Sequence, residues 1–186
     1  MTTESPFFGS CPSSATTDFI LHHRHDDVRG LALHPLSGVD MPYALEQIQG
    51  WQTACRKLPS WAATDGIIFP PHLNMEQCSS EQTAKYKADI AGRLLANYDE
   101  TATLIDLTGG FGVDFSIMAR RFPRAIYVER NAKLCEIARH NLQLLGLDNF
   151  QIVNADSSEF LKGFTPTGDP LFFLDPARRD THGHKV

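Results

Sequence analysis

Apolar positions along this chain recur with two different rhythms. Between about Thr17 and Tyr98 they return every three to four residues, as on helices packed by one face. From Thr101 onward, short runs rich in β-branched and aromatic residues alternate with helical stretches. In the first region Asp40 can cap a helix of about four turns whose rhythm is Met41, Leu45, Ile48, Gln52 and Cys55, with Pro42 accommodated in its first turn. Ser79 followed by Gln82 has the form of a capping box, and Tyr86, Ile90 and Leu94 then share one face. Between these helices Leu58 to Cys78 contains Pro59, Gly66, Pro70 and Pro71, which predicts a long connection that is not regular throughout. It also holds Trp61, Asp65, Phe69 and His72, and two large aromatics argue against disorder there.

The second region reads as β-α-β-α-β-α-β. Thr103 to Leu107, Arg124 to Val128, Phe150 to Val153 and Leu171 to Leu174 are the strands. Phe115, Met118, Ala119 and Phe122 give the first intervening helix its apolar face. Asn131 can cap the second, whose inner face is Leu134, Ala138, Leu142 and Leu145, and Gly146 can end it in a left-handed cap. Ser157 to Phe164 is the third helix. Strands separated by helices imply parallel pairing through right-handed crossovers. The expected organisation is a disordered start over residues 1–16, a small all-α domain over 17–98 and an α/β domain over 99–186.

Composition narrows the setting. Apolar residues are 42% and charged residues 21% of the 186, ordinary for a globular protein with a core. The longest apolar runs are far short of the roughly 20 residues a bilayer needs, and the start lacks the basic and apolar segments of a secretory signal, so a cytoplasmic protein is expected. Cys11, Cys55, Cys78 and Cys135 are widely spaced and read as reduced thiols. A net charge of −5 disfavours broad nonspecific coating by nucleic acid, so any RNA-binding surface is local or lies elsewhere. His22, His23, His25 and His34 beside Asp26 and Asp27 match no tetrahedral metal spacing and read as solvated histidines; no metal is expected.

The chemistry concentrates after the first strand, in Asp106-Leu107-Thr108-Gly109-Gly110-Phe111-Gly112-Val113-Asp114. Glycines at a strand-to-helix bend let the backbone approach a ligand where a Cβ would collide. A dinucleotide fingerprint would require G-x-G-x-x-G, but position 115 is Phe. The spacing instead fits the D-x-x-x-G-x-G turn of S-adenosylmethionine (SAM) enzymes. In that arrangement Asp106 lies near the ligand's cationic end and Gly110 and Gly112 pass beneath its amino acid moiety. Glu129 ends the second strand, 23 positions after Asp106, where it can accept from both ribose hydroxyls. Asp156 ends the third strand within reach of an adenine amine. Asp175-Pro176-Ala177-Arg178 follows the fourth, at the edge where open α/β sheets bind ligands. The plain competing reading is an α/β domain whose acids are helix caps.

These segments, D-L-T-G-G-F-G-V-D, Y-V-E-R, A-R-H-N-x-x-L-L-G-L and D-P-A-R-R, resemble bacterial class I methyltransferases that carry a THUMP-like C-terminal domain. The stretch Leu58 to Ser80 is similar to the same family's N-terminal region, so the resemblance runs from about Phe19 onward. It implies a Rossmann-like class I methyltransferase fold preceded by a small helical domain, with an RNA base in rRNA or tRNA as the substrate. Asp106, Gly110, Gly112, Glu129 and Asp156 stand at the implied cofactor positions, and Thr108 and Asp114, in the same turn, are further cofactor-binding candidates. Val186 comes about ten residues past the fourth strand, so the fold is expected to be incomplete, with four parallel strands and one apolar edge left open to aggregation or strand borrowing.

For methyl transfer the candidates are Asp175, Pro176 and Arg178: Asp175 accepts the target's hydrogen bond and proton, with a following backbone carbonyl as second acceptor in the manner of N-P-P-Y enzymes, and Arg178 can stack on a base or clamp phosphate. Arg178 and Arg179 are also readable as solvated charges, and His182 and His184 carry no message. Trp61 and Phe69 can stack a flipped base or cover the cofactor, but plugging the seam under a docked helical domain is the plainer use. Cys135 reads as packing, and no cysteine adjoins Asp175, which disfavours covalent attack on a pyrimidine. A catalytically silent SAM- or RNA-binding module is the alternative class, and an NAD-dependent oxidoreductase is disfavoured by the glycine spacing.

Overall fold

The computed structural model describes residues 12–95 and 101–176. Among these, six helices come before the first strand: α1 (Ser14–His23), α2 (Val28–Ala32), α3 (Met41–Lys57), α4 (Pro59–Ala62), α5 (His72–Gln77) and α6 (Glu81–Leu95). There follow β1 (Thr103–Asp106), α7 (Val113–Met118) with a 3-10 turn at Ala119–Arg121, β2 (Arg124–Glu129), α8 (Ala132–Leu144), β3 (Phe150–Asn154), α9 (Ser157–Gly163) and β4 (Pro170–Phe173). Helix α1 thus begins inside the stretch expected to be disordered, its first turn capped by Ser13, whose hydroxyl accepts from the Thr16 N–H.

Helix α3 starts as its sequence dictates, with the Asp40 carboxylate accepting from the Tyr43 N–H at 3.2 Å. Met41, Ala44, Gln47, Ile48, Gly50 and Ala54 are its buried positions, whereas Cys55 is exposed and Gln52 half-buried. The inner face departs from the expected rhythm because the following connection folds back on it. A Cβ on Gly50 would lie 2.3 Å from that of Phe69, so only glycine lets that ring in.

Two expectations for α6 are corrected. Its cap is Ser80, whose hydroxyl accepts from the Thr83 N–H at 3.1 Å; Ser79 turns to a different task. Tyr86, Ile90 and Leu94 face outward, 67%, 42% and 54% exposed, while Ala84, Ala88 and Ala91 are buried. Both sets repeat with helical period, so periodicity alone does not choose between them. The small set wins because alanines let α6 lie close against α7.

The connection from Leu58 to Cys78 is ordered and is not regular throughout, with the short helices α4 and α5 separated by irregular backbone over 63–71. Two side-chain amides strap it. Gln47 accepts from the Phe69 N–H and donates to its carbonyl, both at 2.9 Å. Asn141 does the same for Ile68 at 2.9 and 2.8 Å. Each amide replaces a missing strand partner, which is how extended backbone can be buried without a sheet. Trp61 and Phe69, 2% and 5% exposed, therefore plug the seam, in one cluster with Leu58, Met75, Phe111, Val113 and Ile137.

The four strands are all parallel, in the order β3-β2-β1-β4. Alternate residues serve opposite faces. Leu104, Ala125, Tyr127, Phe150 and Ile152 pack with Phe115, Met118, Ala138 and Leu142 beneath α6, α7 and α8. Ile105, Leu107, Ile126, Val128 and Val153 pack with Phe160 and Phe164 on the side of α9. The crossover helices change faces between β1 and β4, which makes the carboxyl ends of those two strands the switch point where such sheets bind ligands. Among the described residues β4 is an outer strand of the sheet, and Phe172 on it and Leu174 just after it stand 46% and 61% exposed. No described helix is long and apolar enough to cross a membrane.

Candidate active site

The bend after β1 is built from left-handed backbone at Gly110 (φ 57°) and Gly112 (φ 88°), which glycine adopts without strain. Gly109 serves a different need. A Cβ there would lie 2.2 Å from the ring of Tyr127, which is fully buried under the bend. The Tyr127 hydroxyl donates to the Gly110 carbonyl at 2.5 Å and fixes the turn from below. Above Gly110 there is room, since a Cβ would meet only the Thr108 carbonyl oxygen, at 3.6 Å.

Acids crowd this turn. Asp106, at the tip of β1, is buried and accepts from the Thr108 N–H at 2.9 Å. Glu129, at the tip of β2, accepts from the Gly110 N–H at 3.0 Å and from the Asn131 N–H at 2.8 Å. Its two oxygens therefore lie across the turn, each with lone-pair capacity left. The carboxyl of Asp106 is pushed from the usual 3.8 up to about 7, first by burial, then by the negative charges of Asp114 and Glu129, against the hydrogen bonds from Thr108. Asp114 opens α7, and its Oδ1 is buried with no hydrogen-bond partner among the described residues. A buried acceptor of that kind is costly unless a donor arrives.

Asp175 comes to the same place from the other side of the switch point. Its backbone N–H donates to the Thr108 hydroxyl at 2.8 Å, and that hydroxyl lies 3.4 Å from Asp106. Sequence reasoning missed the group that ties the acids together. Lys87, on α6, donates to Asp175 at 2.6 Å, to Asp114 at 3.0 Å and to the Ser79 hydroxyl at 2.8 Å; Ser79 in turn donates to Asp114 at 2.9 Å. Burial pulls the Lys87 ammonium pKa down, but hydrogen bonds and attraction to Asp175 and Asp114 outweigh it and the net direction is up. Nothing in the spacing of a lysine 88 positions before Asp175 announces this pairing.

Asp156 stands apart, exposed at the end of β3, where its Oδ1 caps α9 by accepting from the Ser158 and Glu159 N–H groups. Pro176 follows Asp175, while Ala177, Arg178, Arg179, His182 and His184 lie outside the described residues, as does Cys11. Cys135 is buried, donates to the Glu129 carbonyl and has its thiol pKa pushed up to about 11, chiefly by burial, as befits packing and not attack. Among the described residues no three His, Cys, Asp or Glu side chains are placed so that they could hold a metal ion; His23 pairs with Asp26, and Asp27 caps α2.

The fold is Rossmann-like α/β, with a buried acid, a glycine turn and a second acid at successive strand tips. Neither a protein-family profile nor a curated protein matches the chain. Among solved structures, a provisionally assigned methyltransferase from Porphyromonas gingivalis W83 superposes on 80% of this chain with a TM-score of 0.63 and 28% identity. The chain spans 36% of that protein's length. Cofactor-bound Rv0187 from MTB aligns over 76% of this chain and 56% of its own length, at 23% identity and a TM-score of 0.43.

Proposed function

We propose that this chain holds SAM at the acidic glycine turn and belongs to a methyltransferase that acts on an RNA base. The observation that carries the reading is electrostatic. Asp106, Asp114 and Glu129 surround one bend, and the charge on Asp106 is opposed by burial and by its two neighbours. A ligand bearing sulfonium and ammonium charges relieves that opposition, whereas a dinucleotide would add phosphate charges to it. The fit extends to the open space over Gly110. The likeness to the Porphyromonas gingivalis protein supports the methyltransferase part of the reading. The resemblance of D-P-A-R-R and its companion segments to a THUMP-bearing family supports the RNA part.

Once bound, SAM supplies an electrophilic methyl group, so the protein's own tasks are alignment and proton acceptance. Asp106 faces positive charge and Glu129 accepts from the ribose hydroxyls. Asp175 orients the target's N–H or O–H and takes the proton it sheds. Purified protein, bulk cellular RNA and methyl-labelled SAM provide the test. Label is expected in RNA, with Asp175→Ala lowering the rate by about 100-fold or more. Transfer unchanged in Asp175→Ala would overturn that assignment, and no transfer by the unaltered protein would overturn the reading itself.

A further inference from the structure

Lys87 belongs to the helical region, yet its ammonium sits among groups of the α/β sheet's carboxyl edge. It bridges one carboxylate at the start of α7 and one after β4, with side-chain exposures of 22% for the lysine, 15% for Asp114 and 44% for Asp175. The centroid of the Phe173 ring lies 5.3 Å from the ammonium, which adds a cation–π contact to the two carboxylates. Among the described residues, Asp175 is otherwise anchored through its backbone N–H, on Thr108. Its side chain has a single described tether, and that tether is Lys87.

We infer that Lys87 is a positioning residue for the methyl-transfer step: by gripping Oδ2 of Asp175 it leaves Oδ1 turned to the target group, making α6 a working part of the active site. The inference rests on the function proposed above, since it gives Asp175 a target to face. It also explains why α6 packs on α7 through alanines, because a bulkier interface would carry the ammonium away from both acids. Ser79, displaced from the capping role its sequence predicts, completes the grip by hydrogen bonding both Lys87 and Asp114.

The test compares unaltered protein with Lys87→Met, Lys87→Gln, Lys87→Arg, Asp175→Asn and the Lys87→Met/Asp175→Asn double variant. SAM affinity by calorimetry, thermal midpoint, and turnover and half-saturation on bulk RNA are measured for each. Lys87→Met is expected to lose about 100-fold in turnover, with half-saturation and SAM affinity within about threefold. The double variant should be no slower than Asp175→Asn, because one function is lost twice. Lys87→Arg should recover to within about tenfold, and Lys87→Gln, which can donate to one carboxylate but not bridge two, should fall between. If Lys87→Met does not fold, Lys87→Gln carries the decision. Wild-type turnover in Lys87→Met or Lys87→Gln, multiplied losses in the double variant, or parallel loss of SAM affinity and turnover would overturn the inference. Absence of transfer by the unaltered protein is a separate outcome, which removes the underlying function and the inference together.

Discussion

Gly109→Ala is expected to destabilise the protein by about 3 kcal/mol or more, at the upper end of what overpacking does. The new methyl would stand 2.2 to 2.6 Å from three ring atoms of Tyr127, closer than any real contact. Neither partner can yield. The Gly109 N–H is bound to the Val128 carbonyl at 3.0 Å, while the Tyr127 ring lies edge-on to Phe115 at 5.5 Å and holds the Gly110 carbonyl through its hydroxyl. Urea unfolding of the variant should show the loss, and combining it with Tyr127→Ala should destabilise by less than the sum of the two, since the second change removes the clash. A Gly109→Ala protein as stable as the unaltered one would mean that the turn does not lie on the tyrosine.

The second large effect concerns Asp106 and pH. Its folded-state pKa of about 7 lies above the usual 3.8, so between those values the folded protein holds a proton that the unfolded chain releases. Stability from this group therefore falls as pH rises from about 4 to about 7, and above that the folded state carries the full penalty of a buried charge. The gap between 3.8 and about 7 corresponds to on the order of 4 kcal/mol. Asp106→Asn stays neutral throughout and can still accept from the Thr108 N–H. It should equal the unaltered protein in stability near pH 4 and exceed it near pH 8 in the absence of ligand, when the two are compared by urea unfolding. Parallel stability curves would contradict the placement of this carboxyl. Such a residue makes sense as stability surrendered for a ligand's positive charge.

How much of this was legible in the sequence depended on whether the signal was local. The strands, the Asp40 and Asn131 caps, the left-handed Gly146 and the acids at the tips of β1 and β2 all announce themselves within a few residues. The face of α6 did not, because Tyr86, Ile90 and Leu94 share their period with the alanines that are in fact buried. Gln47 and Asn141 look like ordinary surface amides until Phe69 and Ile68 fold against them. Tyr127 reads as one apolar strand residue among several, and its grip on Gly110 needs the bend in place. Lys87 is the clearest case. Its partners Asp114 and Asp175 come from elements 27 and 88 positions away, so only the assembled fold brings them together. Asp156 shows the opposite limit, since a strand-end acid followed by a helix fits a cap as well as a ligand contact, and in the fold its Oδ1 caps α9.

The account depends on a cation-bearing adenosyl ligand settling among Asp106, Asp114 and Glu129, and calorimetric titration measures that directly. Heat is expected with SAM, lost in Glu129→Ala, and the affinity should strengthen by about tenfold between roughly pH 6 and pH 8 as Asp106 ionises. Heat with NAD but none with SAM, or SAM binding that is indifferent both to pH and to Glu129→Ala, would contradict it.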